Sequence, residues 1–289
     1  MKSSADEHYD ISSYEKKPGD RSVFVHYAYI RMSIPQILML ISLFLLISPV
    51  SSLSIHFLDV GQGDAALIEH RGHAMLIDAG DPDAGSRILS YLQKQGIFSL
   101  DVLIATHPHS DHIGGMTDIL NAIPVSLFID NGAIHTSPTY RTLMKTLIEK
   151  QIPYGVAREG DLIPFTDDIT IRVISPAELS GDLNEDSLAF VLTYGEVRVF
   201  FTGDCEHCDA SCDVVKLAHH GSKGSASRGI LKGDVPDLAI ISLGRDNEYY
   251  YPAPSTIHAL ESAGVGIVRT DERGTIVLRT DGRRYWLDE

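Results

Sequence analysis

"THPHSDHIGG", residues 106–115, sets three histidines and an aspartate within six residues, directly after the apolar run "DVLIA" and directly before two glycines. An apolar run followed at once by turn-forming residues reads as a short buried strand ending in a loop. His107 and His109 stand two apart at its carboxyl end, so extended backbone aims both side chains the same way. Asp111 and His112 follow in a turn, and Gly114-Gly115 allows another stretch of backbone to come close. Imidazole and carboxylate donors of this kind suit Zn²⁺, and also Mn²⁺ or Fe²⁺. Two pairs facing two directions from one turn point to two ions, and one loop cannot close two sites. The remaining donors must come from elsewhere in the chain.

They are found at the ends of two further apolar runs. "FFTGD" (200–204) places Asp204 after one strand, and "LAHHGS" (217–222) places His219 and His220 after another. A surface histidine cluster would require neither the buried strand before it nor these matching strand ends. Gathering ligands at strand ends is what a sheet-edge metal site needs.

The rest of the chain from Ser54 alternates strands with helices. "SIHFLDV", "AALIEH", "HAMLIDAG", "VSLFID", "ITIRVIS", "SLAFVLTY", "VRVFFTGD", "DLAIISLG" and "GIVRTD" read as strands, and "GTIVLRTDGRRYWLD" as a hairpin turning at Asp281-Gly282. Apolar residues at helical spacing predict helices over Ser86–Gln95, Tyr140–Gln151 and near Ser255–Ser262. Several strands are apolar on both faces, which implies sheets covered by helices, a layered α/β sandwich. No linker-like stretch divides residues 54–289, so they read as one domain.

Residues 1–31 are polar and unpatterned, which suits a disordered tail. Residues 32–53 contain the apolar core Ile37–Ile47, broken only by Ser42. Eleven helical residues rise about 16 Å, short of the roughly 30 Å hydrocarbon core. The segment reads as a secretory signal peptide cleaved after Ser52, as an uncleaved signal anchor, or as a buried helix. The first two readings put the domain outside the cytoplasm, secreted or anchored on the outer face of the cytoplasmic membrane. The chain carries 24 basic and 39 acidic residues, a net charge of −15. Residues 1–31 balance, so the whole excess falls on the remainder. An acidic domain repels polyanions at long range, which argues against a general nucleic-acid-coating protein.

With these motifs in view the chain resembles the metallo-β-lactamase fold superfamily. The carriers are HxHxDH at 107–112, the aspartate of "TGD" and the histidines of "AHHGS". More narrowly, "HFLDVGQGDAALIEH", "MLIDAG", "NEDSLAFVLTYGEVRVFFTGD", "LAHHGSKGS", "ISLGRDNEYYYP" and "RTDERGTIVLRTDG" are similar to the hydrolase domain of the DNA-uptake competence family ComEC and its stand-alone relatives. The resemblance spans about Ser54 to Asp281.

It implies a four-layer αββα sandwich with a dinuclear site holding Zn²⁺ or Mn²⁺. By position, His107 and His109 take the first ion, Asp111 and His112 take the second, and Asp204 bridges. His220 is favoured to complete the second site, which leaves His219 facing the substrate as proton donor or charge stabiliser, with the reverse assignment open. Asp111 thereby joins the catalytic set. The implied activity is metal-dependent hydrolysis of a phosphodiester, with single-stranded DNA as a candidate substrate. A lactone or other small ester on the same scaffold is the runner-up, and a catalytically silent metal-binding module the alternative of another class.

The chain departs from that pattern twice. Many superfamily members supply another histidine to the first site from the loop before the "TGD" hairpin, and here that loop is "LNEDSL". Asn184 or Asp186 then becomes a weak ligand, and the first ion is expected to be loosely held or Mn²⁺. Between His112 and Asp204 the one histidine is His135. ComEC-like sequences also carry histidine where Tyr251 stands. A tyrosine donates a hydrogen bond but is a poor acid near neutral pH, with an unperturbed pKa of about 10.

Asp59, Asp64 and Asp78, at strand ends or in turns, are expected to buttress the histidines or simply to serve their turns. "HHGSKGSASRGILKG" offers Ser222, Lys223, Ser225 and Arg228, with Lys216 and Lys232 nearby, as a phosphate-holding loop or a solvated one. Ser222 and Tyr251 are placed in the catalytic set on these grounds. Cys205, Cys208 and Cys212 have helical spacing and read as a buried helix face. A metal site, or a disulfide with one thiol left over, are the other readings. Tyr249, Tyr250 and Trp286 suit packing or base stacking.

Overall fold

The computed structural model describes residues 52–226, 230–231 and 234–288. The tail expected at 1–31, nearly all of the leader expected at 32–53, and Arg228, Ser227 and Lys232 of the basic loop lie outside the described residues. Among the described residues no helix is long and apolar enough to cross a membrane.

The chain opens with an antiparallel meander of β1 (Leu53–Phe57), β2 (Ala66–His70) and β3 (His73–Ile77). From β3 the sheet grows in parallel through β4 (Val102–Ile104), β5 (Phe128–Asp130) and β6 (Tyr154–Val156). Parallel neighbours need crossovers. These are α1 (Gly85–Gln95), then α2 (Ser110–Ile113) with α3 (Met116–Ala122), then α4 (Pro138–Glu149).

The second half repeats the plan. β7 (Ile169–Ser175), β8 (Ala189–Tyr194) and β9 (Val197–Phe201) form a meander. β10 (Val214–Lys216), β11 (Leu238–Ile241) and β12 (Gly266–Arg269) extend it in parallel, with α5 (Pro254–Ser262) crossing between the last two. The hairpin of β13 (Ile276–Thr280) and β14 (Tyr285–Leu287) returns to the first sheet and pairs with β1. The result is one sheet of eight strands and one of six.

Side-chain alternation explains why the strands read as unbroken apolar runs. Met75 and Ile77 of β3 enter the core between the sheets, while Ala74 and Leu76 face the helical layer with Ile88, Leu92 and Ile119. In β9, Val197, Val199 and Phe201 point inward, and Phe200 joins Leu260 of α5 on the outer side. Three apolar interfaces therefore separate four layers, αββα. Phe201 stacks on Phe57 at 5.9 Å across the central interface and on its cross-strand neighbour Phe190 at 5.3 Å within its own sheet. Burying a side chain of that size stabilises by about 1.5–3 kcal/mol.

Helix ends are set locally. Ser137 accepts the Tyr140 N–H ahead of Pro138 to start α4, and Gly96, with φ 78°, ends α1 in the left-handed region. The cysteine segment departs from expectation: residues 205–212 form no helix. Cys205 and Cys208 are joined in a disulfide and Cys212 is a buried free thiol. The helical reading failed because the segment must leave β9 sharply at Gly203-Asp204 and re-enter the sheet as β10.

Candidate metal centre

The site lies where β4, β9, β10 and β11 end, so each strand delivers its next few residues to one place. After β4, Thr106 fixes the loop: its N–H donates to Asp78 Oδ1 at 2.8 Å and its hydroxyl to Asp78 Oδ2 at 2.7 Å. Gly114 and Gly115 press against residues 79–82 so closely that a side chain at either would collide with backbone. That contact positions the 107–112 turn.

His107 is fully buried, with Nε2 3.0 Å from His109 Nδ1 and 3.7 Å from Asp204 Oδ2. His112 Nε2 lies 3.3 Å from Asp204 Oδ1 and 4.0 Å from Asp111 Oδ2. His220 Nε2 lies 3.2 Å from Asp111 Oδ2 and 4.0 Å from Asp204 Oδ1. Asp204 thus turns one oxygen toward His107 and the other toward His112 and His220. Two donor groups result, His107 and His109 on one side, and Asp111, His112 and His220 on the other.

Behind the ring nitrogens that face Asp204, the other ring nitrogens are held. His112 Nδ1 is 2.8 Å from Asp78 Oδ2, and His107 Nδ1 is 3.2 Å from Ser187 Oγ. His220 Nδ1 donates to the Ser242 carbonyl at 2.9 Å. A carbonyl only accepts, so Nδ1 carries the hydrogen and Nε2 is the atom that faces the carboxylates. Asp64 stands 3.3 Å from His220 Nδ1 and pairs with Lys216.

The electrostatics call for a cation. Burial opposes charge on His220, yet Asp204 and Asp64 outweigh it and raise its pKa to about 10. Burial likewise opposes charge on His112, which Asp204 and Asp78 push well above its ordinary value. Burial, followed by the neighbouring His112, drives His107 well below, leaving it neutral. Asp111 is held low against burial by His112 and His220. Asp64, Asp78 and Asp204 stand around the second group, whose own Asp111 makes a fourth carboxylate, and this concentrated negative charge favours a cation there. His112 Nε2 and Asp204 Oδ1 are buried without a hydrogen bond of good geometry. Orphaned polar atoms of this kind cost free energy unless something binds them. Within the described residues, His107, His112 and Asp204 form one possible metal-holding set, and Asp111, His112 and His220 another. The donor chemistry fits divalent ions.

Other expected residues fall differently. Asp78 and Asp64 stand behind the histidines, whereas Asp59 is exposed and accepts the Gly61 N–H within its own turn. Asp186 accepts the Ser180 and Gly181 N–H groups, one on each carboxylate oxygen, within its own loop. Asn184 Oδ1 is buried without a partner. Ser225 is fully buried and donates to the Ala218 carbonyl, and Ser222 is buried and donates to Glu206. Both hydroxyls are thus engaged within the protein. Lys216 is buried against Asp64, so it belongs to the centre's support, not to a surface basic patch. Lys223 is exposed.

Tyr251 packs edge-on against His219 at 5.7 Å and stacks on the exposed Tyr249 at 5.6 Å. Burial, then Glu206 and Asp204, raise the Tyr251 pKa, so the phenol keeps its proton. Glu206, 3.0 Å from His219 Nδ1, was missed because it belongs to no motif. Its position two residues after Asp204 was the available signal.

A family model described as the metallo-beta-lactamase superfamily matches residues 58–244. ComE operon protein 3 of Bacillus subtilis (strain 168) is 28% identical over 258 residues, covering 79% of this chain and 33% of that protein. Ribonuclease Z of Mycobacterium sp. (strain KMS) is 26% identical over 228 residues, covering 71% of this chain and 76% of that protein. The crystal structure of the metallo-beta-lactamase fold protein YhfI from Bacillus subtilis matches with TM-score 0.51 at 13% identity, over 75% of this chain and 95% of that one. The chain spans 28–33% of the length of the competence-type relatives it matches.

Proposed function

The chain belongs to the metallo-β-lactamase superfamily, and on that footing we propose that it is a two-ion hydrolase of phosphodiesters working outside the cytoplasm. The observation that carries the reading is the divided carboxylate of Asp204, 3.7 Å from His107 through one oxygen and 3.3 Å from His112 through the other. A structural site has no need of a shared carboxylate between two donor sets.

Bound at these residues, two divalent ions would supply an activated water and polarise the ester oxygen. The chain's own groups do the rest. Asp78, Asp64 and the Ser242 carbonyl keep the imidazoles oriented, which is how groups behind a metal ligand tune it. Tyr251, still protonated, is available as a hydrogen-bond donor beside His219. Exposed Lys223, one residue past Ser222, offers a charge to a phosphate oxygen.

Similarity to a ribonuclease supports a phosphodiester over a lactone. The likeness to ComE operon protein 3 makes single-stranded DNA the substrate to try first. The Cys205–Cys208 disulfide supports an oxidising compartment, in keeping with an N-terminal export or anchoring segment.

The test is turnover of bis(p-nitrophenyl) phosphate and single-stranded DNA with added Zn²⁺ or Mn²⁺, abolished in Asp111→Ala. Turnover of a lactone or thioester alone selects the ester-hydrolase reading. Bound metal with no turnover of any of these selects a silent metal-binding module.

A further inference from the structure

Resting on the two-ion reading above, we propose that His219 is the fourth donor to the first ion, replacing the histidine that the loop before the β8–β9 hairpin lacks. His219 and His220 are neighbours in sequence but serve opposite sides of Asp204. His220 Nε2 is 4.0 Å from Asp204 Oδ1, and His219 Nε2 is 3.9 Å from Asp204 Oδ2, the oxygen that faces His107. What separates them is backbone: φ is 47° at His219 and 54° at His220, two consecutive left-handed residues that are not glycine. Such residues are uncommon, cost on the order of 1–3 kcal/mol each, and persist where the surroundings enforce them. Here the kink leaves the two rings 6.2 Å apart and inclined by 73°. One imidazole faces each oxygen of Asp204.

The far side of His219 is prepared in the same manner as the other ligands. Nδ1 is 3.0 Å from Glu206 Oε1, and Glu206 in turn accepts from Ser222. A carboxylate accepts, so the Nδ1 hydrogen is directed at Glu206. A carboxylate behind one nitrogen leaves the other as the ligand, an arrangement general to metal-bound histidine. Position 224 belongs to the same device, since any side chain there would collide with the Glu206 carboxylate.

The loop that lacks a histidine is otherwise engaged. Asp186 binds its own loop, and Ser187 Oγ lies 3.2 Å from His107 Nδ1 and accepts the Asp204 N–H at 3.0 Å. The first donor set becomes His107, His109, His219 and one oxygen of Asp204. Three nitrogens and a carboxylate suit Zn²⁺, which replaces the expectation of a loosely held first ion.

Two competitors for the role serve as controls. The His135 ring is 6.1 Å from that of His109, with Nδ1 buried and unpartnered, and Asn184 Oδ1 is likewise unpartnered. The experiment measures zinc retained by the full-length chain after dialysis, together with the visible spectrum on Co²⁺ titration. Wild type should hold two equivalents. His219→Asn, which tolerates the left-handed backbone, should keep one and lose part of the Co²⁺ absorption. Glu206→Gln should weaken one equivalent by about 10–100-fold. His135→Ala and Asn184→Ala should keep both. Two equivalents held normally by His219→Asn, with only turnover lost, would make His219 a proton donor and overturn the proposal. Loss of an ion in His135→Ala or Asn184→Ala instead would do the same. A wild-type chain that holds fewer than two ions counts against the two-ion reading itself.

Discussion

Asp78 and Asp59 look alike in the sequence, each an aspartate at the end of an apolar run, and differ in what lies within reach. Asp78 is buried under His112 and receives two hydrogen bonds from Thr106, while Asp59 is exposed. Asp78→Ala should weaken one metal equivalent by about 10–100-fold in a competition titration. Asp59→Ala should leave both ions in place and change stability by about 0.5 kcal/mol or less. Titration of the metal-free chain provides a second check. The His220 pKa, about 10, lies above the unfolded value, so its stabilisation is full below about pH 6.5 and is lost as pH rises through 10. His112 shifts in the same direction. The melting temperature of the metal-free chain should therefore fall between about pH 7 and 10, and saturating Zn²⁺ should remove that fall. A melting temperature that rises across this range would mean that the histidines are neutral without metal.

Strands were legible wherever apolar residues continued without a break, because both faces of each sheet are covered. The three long helices were legible from their spacing, although α4 opens at Pro138 and α5 at Pro254, slightly ahead of the expected starts. The side chains that gather at the candidate centre, HxHxDH, Asp204 and His220, were legible as a group because strand ends deliver them. Contacts between distant segments were not. Nothing local to Glu206 announces His219, and nothing local to Ser187 announces His107. Lys216 read as a surface cation because its partner Asp64 is 152 positions away. The cysteine segment misled because three residues at helical spacing also fit a loop crossing from β9 to β10. That loop yields a prediction of its own. Burial, then Asp213, push the Cys212 thiol up to about 12, so the native chain should show no reactive thiol at neutral pH. Denaturation should release one thiol, and denaturation with reductant three. A single thiol reactive in the native state, or three released without reductant, would contradict the pairing.

The acidic excess acts at the scale of the whole chain, which carries a net charge of −15. Like charges repel over the screening length, about 30 Å at 0.01 M salt and about 8 Å at 0.15 M. The KM for single-stranded DNA should therefore fall severalfold as salt rises through that interval, the reverse of a basic nuclease. For a substrate as small as bis(p-nitrophenyl) phosphate it should change little. A DNA KM that climbs with salt would place a cationic binding face somewhere on the chain. All of this depends on two cations sharing Asp204, and anomalous scattering from a zinc-loaded crystal tests that most directly. The account predicts two peaks about 3.5–4 Å apart, one on either side of the Asp204 carboxylate. A single peak, or peaks only at exposed histidines such as His207, would contradict it.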